Sequence, residues 1–322
     1  MIDYFFKSGF AELEQKFVEY RKASGVWNDG YMTTLKIFDN YCAKNYPNGT
    51  FLCQSMIDEW CQRHENEKNR SRNTRVRVIR AFVRFVNERT TFEFEEPTRL
   101  KPEPITYIPH AFSTGELERF FTACDNIPIS KDFKSVIYHF TCPVLFRLLY
   151  SSGIRTTEAR YLRRTDFIRD GFVLNIKKSK GYDQHYVALH MSMAKLLIKY
   201  DIKMEEYQPN RIYLFESPNG GAYKKEWVTQ MFKLLWTEAN GDSTNITPYQ
   251  LRHHYAIANI NSWNNEDSFE FSDKLNKLSK SMGHRHIAST LGYYSLVPRL
   301  ADTLLEKTED SFNNLISEVI YE

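Results

Sequence analysis

The sequence predicts a mainly α-helical protein with a small antiparallel β-hairpin. It divides into a helical N-terminal domain and a larger, α+β C-terminal one. Three observations carry this. Apolar residues recur at helical spacing from residue 7 to about 90; two β-rich runs flank a polar, glycine-bearing turn between 172 and 189; and Pro97, Pro102, Pro104 and Pro109 crowd the stretch between the two halves. A chain of 322 residues is long enough for two ordinary domains, and 42% hydrophobic with 26% charged residues is a globular composition.

The first helices are marked by Phe10, Leu13, Phe17 and Tyr20, then by Met32, Leu35, Phe38 and Cys42. A third spans roughly 52–63 and a fourth roughly 71–88. The fourth has two faces. Ile79, Phe82, Val83 and Val86 make an apolar stripe, while Arg70, Arg72, Arg75, Arg77, Arg80, Arg84 and Arg89 place seven arginines in 20 residues, with no acid until Glu88. Such a run is commonly a solvated helix face, but it is also a good electrostatic footprint for a phosphate backbone. The boundaries expected are 1–96 for the helical domain, 97–112 for a linker and 113–322 for the second domain. Ser113 with Glu116 reads as a capping box opening that domain. Residues 172–176 and 185–189 are the hairpin strands, and helices are expected near 192–200, 225–239, 249–261 and 273–282. The tail, 301–321, is amphipathic along Leu304, Leu305, Phe312, Leu315, Ile316 and Val319. It suits packing on its own domain or docking onto a neighbouring protomer.

A net charge of +3 is mildly basic and by itself does not establish a nucleic-acid partner. Cys42, Cys53, Cys61, Cys124 and Cys142 are odd in number and contain no CxxC pair, so they read as reduced thiols. No leader and no membrane span are expected, and the expected compartment is the cytoplasm.

Four short contexts carry the chemistry: Gly153-Ile154-Arg155-Thr156-Thr157-Glu158, Tyr249-Gln250-Leu251-Arg252-His253, Met282-Gly283-His284, and Thr290-Leu291-Gly292-Tyr293-Tyr294. A phosphodiester is an anion that repels a nucleophile. Two arginines can neutralise its non-bridging oxygens through forked hydrogen bonds, and a tyrosine hydroxyl can then attack phosphorus and hold the strand covalently. Each piece alone has a plainer reading. An Arg-x-x-Glu pair is ordinarily a surface salt bridge, a lone arginine at a helix start is ordinarily structural, and this chain has 20 tyrosines. His253 and His254, adjacent on a helix, point to different faces and make a poor metal pair. No metal and no cofactor are expected, and the chain lacks a GxxxxGK[ST] loop.

Taken in order and at this spacing, the contexts resemble the tyrosine recombinases, or phage-type integrases, over about 113–300, and the helical segment before them resembles that family's core-binding, SAM-like domain. The resemblance implies that Arg155 and Arg252 clamp the scissile phosphate, with Glu158 and His253 in support. It implies that His284 contacts the phosphate and that Tyr293, nine residues after His284, is the nucleophile, with its pKa lowered by the arginines. A hairpin lysine protonates the leaving 5′-oxygen: Lys180 in one alignment, Lys178 in the other. Tyr249 stands where the family has His or Lys, which puts the identity of the general base in doubt, because a phenol is a poor base at pH 7. Arg70, Arg72, Arg75, Arg77, Arg80, Arg84 and Lys178 are the expected DNA contacts. The implied partners are double-stranded DNA with inverted-repeat core sites and a homotetramer on two duplexes, in a bacterial, nucleoid-associated setting. The implied activity is recombination through a 3′-phosphotyrosyl intermediate, serving a mobile element or an Xer-like role. The short segment ahead of the helical bundle favours these simple types over an integrase with arm sites. The alternatives are a catalytically weakened DNA-binding relative and a type IB topoisomerase-like enzyme.

Overall fold

The computed structural model describes residues 4–104, 109–110, 112–177, 184–241, 246–263 and 268–294. The turn bearing Lys178 and Lys180 and the tail 301–321 lie outside these residues. The chain forms two compact units, Met1–Thr106 and Tyr107–Glu322.

Unit 1 is four helices, α1 (Ala11–Ala23), α2 (Asp29–Asn45), α3 (Gln54–Cys61) and α4 (Asn69–Arg89). Asn28 caps α2, its side chain accepting from Gly30 N at 2.8 Å. The stripe expected on α4 is the buried one: Ile79, Phe82, Val83 and Val86 show no exposed area. Phe82 and Phe85 meet Phe17 of α1 at ring-centroid distances of 5.4 and 5.5 Å, and Phe38 of α2 sits edge-on to Trp60 of α3. Two carboxylates are also buried in this core. Asp39 accepts the backbone N–H groups of Lys7 (2.8 Å) and Ser8 (2.7 Å) and the Tyr4 hydroxyl (2.8 Å), which fastens the N-terminal segment to α2. Glu14 accepts the Ser8 hydroxyl at 2.9 Å. Burial first, and then the charge of Asp39, push the Glu14 carboxyl up to about 9.

The proline-bearing stretch is not free chain at its start. Arg72 donates to Thr98 O (2.8 Å), Asn73 and Leu100 exchange a pair of hydrogen bonds, and Glu103 accepts from Asn69 N (2.6 Å). Prolines hold the segment extended and leave its carbonyls open to such donors. Residues 98–103, assigned to the linker from sequence, are therefore a strap along α4.

Unit 2 runs α5 (Thr114–Asp125), α6 (Phe133–Ser152), α7 (Thr156–Tyr161), a 3₁₀ turn at Arg164–Asp166, β1 (Phe167–Ile168), β2 (Val173–Ile176), β3 (His185–Ala188), α8 (Met191–Tyr207), α9 (Lys225–Asn240), α10 (Tyr249–Ser262), α11 (Ser268–Ser281) and α12 (Ala288–Tyr294). The Ser113–Glu116 capping box forms as expected. The sheet is antiparallel in the order β1-β2-β3, with Val173 opposite Ala188 and Ile176 opposite His185. Its edge strand β1 has only two residues, too few to show a period in the sequence. Helix α8 continues seven residues past the expected Tyr200. The polar run after Tyr200 hides this, because Asp201 is buried and satisfied by Arg164, Arg169 and Arg211.

The main core gathers Phe120, Phe146, Phe232 and Trp236 from α5, α6 and α9. A smaller core joins α10, α11 and α12 through Ala256, Ile257, Ile260, Leu275, Leu278 and Met282, and Tyr293 belongs to it. All five cysteines are free thiols, with Cys53 the only one not buried. Among the described residues no helix is long and apolar enough to cross a membrane.

Gly153 ends α6 in the left-handed region (φ 64°), and a Cβ there would overlap the Tyr255 ring. Gly153→Ala is expected to destabilise unit 2 by about 2–4 kcal/mol, read as a lowered urea midpoint. For unit 1, the folded chain keeps the Glu14 proton while the unfolded chain releases it near 4.5. Its stability is therefore greatest below that pH and declines as pH rises toward 9. Glu14→Gln is expected to flatten this decline and to be more stable than wild type at pH 8 by on the order of 2 kcal/mol, measured by denaturation across pH 5–9.

Candidate active site

The chain reverses at Gly153 and starts α7 with Arg155 as its N-cap. Glu158, fully buried, accepts the Arg155 backbone N–H at 2.7 Å and its guanidinium at 2.5 Å. The other end of that guanidinium donates to Gly283 O at 2.9 Å. Arg155 keeps 19% of its side chain exposed, which leaves it on the rim of the site.

Arg252 comes from the first turn of α10 and is 1% exposed, the largest of the fully buried side chains. It donates to Gly153 O (2.5 Å), to Met282 O (2.7 Å) and to His284 Nε2 (3.0 Å). Its Nε is buried with no hydrogen-bond partner among the described residues. Each arginine thus grips the turn beside the other: Arg252 holds the glycine two residues before Arg155, and Arg155 holds the glycine one residue before His284. The acceptors are the C-terminal carbonyls of α6 and α11, where helix dipoles favour a cation. Burial first, and then the nearby Arg155 charge, lower the Arg252 pKa from its usual value.

His284 completes the turn after α11, with Nδ1 2.8 Å from the Thr290 hydroxyl. Its ring stacks parallel to that of Tyr293 with centroids 6.0 Å apart, and the His253 ring lies 5.4 Å from Tyr293 on another side. Tyr249, 43% exposed, sits edge-on to His253 at 4.8 Å. Burial, reinforced by the neighbouring arginines, drops His284 to about 4; burial and Arg252 do the same to His253. Both imidazoles are neutral at pH 7. His254 faces elsewhere, stacked on Tyr150 and against Phe112.

Tyr293 is 7% exposed. The sequence led us to expect a phenol pKa lowered by the arginines. Arg252 and Arg155 do pull it down, but burial outweighs them and the net shift is upward. The correction has a simple cause, because Tyr293 is part of the small core between α10, α11 and α12. The structure therefore brings together Arg155, Glu158, Tyr249, Arg252, His253, His284 and Tyr293 in one unit. Lys178, Lys180 and the Tyr294 side chain lie outside the described residues.

Two neighbours of the site were not expected. His185, at the start of β3, packs so closely on Gly283 that a Cβ there would lie 2.5 Å from the ring. Thr290 is fully buried against His284. Both had a signal in the sequence: His185 shares the buried face of its strand with Val187, and Thr290 is three residues before Tyr293 on a helix.

In unit 1 the arginines of α4 divide. Arg70, Arg77 and Arg84 are exposed. Arg77, Arg80 and Arg84 line a cleft of about 380 Å³ with Arg21, Asn73 and Arg99. Arg80 and Arg84 share the carboxylate of Glu96, at 3.2 and 2.8 Å. Arg72 and Arg75 depart from the expected role. Arg72 is 7% exposed and donates to Cys61 O and Thr98 O; Arg75 donates to Trp60 O and Gln62 O and pairs with Glu67. Both close the end of α3 onto α4, a structural use that a charge count cannot distinguish from DNA contact.

Residues 112–298 match the phage integrase family. The chain is 25% identical over 94% of its length, and 98% of the relative's, to a putative integrase/recombinase (y4rB) of Sinorhizobium fredii. It is 21% identical to the tyrosine recombinase XerD of Rickettsia bellii over 83% of this chain and 87% of that one. In fold it is similar to a XerH site-specific recombinase bound to its difH substrate (TM-score 0.61, 18% identity, 89% of this chain and 82% of that one). It is likewise similar to the Tn1549 transposon integrase in complex with a circular intermediate DNA (TM-score 0.62, 14% identity, 87% and 94%). The matched stretch contains every residue of the arginine–histidine–tyrosine site, and the chain belongs to the phage integrase family, the tyrosine-type site-specific DNA recombinases.

Proposed function

We propose that this chain cuts and rejoins duplex DNA through a 3′-phosphotyrosyl intermediate on Tyr293, in the service of a mobile element. The observation that carries the reading is the meeting of two arginines, a histidine and a tyrosine from α7, α10, α12 and the turn after α11 in one place. Arg155 from the rim and Arg252 from beneath supply donors to the two non-bridging oxygens and stabilise the charge that builds on them. The Tyr293 oxygen attacks phosphorus, the bond to the 5′-oxygen breaks, and that oxygen takes a proton from Lys180, with Lys178 as the alternative donor. Attack by the 5′-hydroxyl of a partner strand reverses the sequence on a new duplex. Phosphodiester energy is kept in the tyrosyl link.

The DNA reading also draws on unit 1, where Arg70, Arg77 and Arg84 are exposed and Arg80 is half-buried beside them. The relatives support a recombinase, and the Tn1549 integrase among similar folds is in keeping with a transposon role. Four protomers on two duplexes, joined by the amphipathic tail, are the assembly we propose.

Nicked duplexes tiling the DNA that flanks this chain's gene are the substrate to try, in EDTA. Wild type and Tyr294→Phe are expected to give an SDS-stable adduct and Tyr293→Phe none. Arg155→Lys, which loses the fork, is expected to slow adduct formation by about 100-fold. An adduct lost only in Tyr294→Phe would move the nucleophile by one residue, and sequence-independent relaxation of supercoiled DNA would favour a topoisomerase-like enzyme. Because burial holds the Tyr293 phenol above its ordinary pKa, adduct formation is expected to accelerate from pH 7 to 9, by up to about tenfold per unit. A flat profile over that range would show that a base in the protein takes the proton.

A further inference from the structure

Thr290 has no part in the mechanism above, yet it is fully buried and its hydroxyl lies 2.8 Å from His284 Nδ1. On the opposite edge of the same ring, Arg252 approaches Nε2 at 3.0 Å. A guanidinium carries donors only, so Nε2 must be the acceptor in that contact. The ring is neutral at pH 7 and bears one proton. That proton is consequently on Nδ1, where it is donated to Thr290 Oγ1. In this resting arrangement His284 cannot donate to a phosphate through Nε2, and one of Arg252's N–H groups is spent on the ring.

We infer that Thr290 is a positioning residue that keeps His284 Nδ1 paired in either tautomer, and thereby lets the imidazole exchange its hold on Arg252 for a hydrogen bond to the scissile phosphate. The inference rests on the recombinase reading for its catalytic meaning. A hydroxyl both accepts and donates. While Oγ1 accepts, Nδ1 keeps the proton and Nε2 anchors Arg252. When Oγ1 rotates to donate to Nδ1, the proton belongs on Nε2. The exchange releases one proton from Nδ1 to water and takes one from water at Nε2, with no net change. Nε2–H is then a donor, and the Arg252 N–H it had engaged is released. A phosphate supplies acceptors for both, so binding DNA stabilises the second arrangement. Thr290 also lies one helical turn before Tyr293 on α12, so the same turn carries the group that sets the ring and the group that attacks. Valine has the shape of threonine and supports neither arrangement.

The test has two arms. In the first, nitrogen NMR of histidine-labelled, DNA-free protein reads the His284 tautomer, with the signal assigned by its loss in His284→Gln. Nδ1–H is expected in all three of wild type, Thr290→Ser and Thr290→Val, because Arg252 faces Nε2 in each, with the Nδ1 resonance of Thr290→Val alone shifted by the loss of its acceptor. Nε2–H in wild type, or no change in Thr290→Val, overturns the inference. The second arm measures adduct formation and affinity on a nicked duplex that traps the wild type. Thr290→Val is expected to be slower by about 10- to 100-fold with its DNA affinity unchanged, the effect of leaving one buried donor unpaired, and Thr290→Ser to recover most of the rate. Equal rates in Thr290→Val and wild type, or equal losses in the serine and valine variants, overturn it. If wild type forms no adduct on any duplex, it is the recombinase reading that fails, and the NMR arm still decides the tautomer.

Discussion

The arrangement of unit 2 turns on the burial of one guanidinium. Arg252 is a cation with almost no access to water, close to a second arginine, and such a charge is costly unless its surroundings neutralise it. The neutralisation is distributed. Gly153 O, Met282 O and His284 Nε2 accept from it directly, while the buried Glu158 carboxylate balances Arg155. Two of those carbonyls end helices, so α6 and α11 must stop where they do for α10 to bring its arginine inside. The left-handed turns at Gly153 and Gly283 satisfy that requirement. Fold and site are thus one constraint: the same carbonyls that terminate helices hold the two arginines of the site in place.

That pre-organisation accounts for the behaviour of Tyr293. A tyrosine packed into a small apolar core is held accurately, at the cost of a phenol that resists ionisation. The arginines counter this only in part while they are occupied by backbone acceptors. Charge brought by a substrate would change both sides of that balance together.

Much of this was legible in the sequence, for a definite reason. Arg155, Arg252, His284 and Tyr293 lie in short contexts whose internal spacing is local, and local spacing survives in a linear reading. The capping box at Ser113 and the stripe on α4 were legible on the same grounds. What escaped depended on distant partners. Helix α8 continues through a polar run because Asp201 meets arginines 32 to 37 residues earlier in the chain and one 10 residues later. Arg72 and Arg75 look identical to Arg77 in one dimension, and only the carbonyls at the end of α3 separate them. The direction of the Tyr293 shift required knowing how deeply α12 packs.

The shared carboxylate of Glu96 gives the cationic face of α4 a different meaning from its composition. Of the seven arginines between residues 70 and 89, two are turned inward to carbonyls and three more already hold an anion supplied by the chain itself, Arg80 and Arg84 on Glu96 and Arg89 on Glu88. The charge presented to solvent is therefore well below the charge encoded. A polyanion arriving at this face exchanges one carboxylate for another acceptor rather than filling vacant sites, so part of its attraction is cancelled by the partner it displaces. Loose, non-selective capture of nucleic acid is damped by that exchange, and a ligand that also fits the cleft beyond Glu96 has the larger advantage.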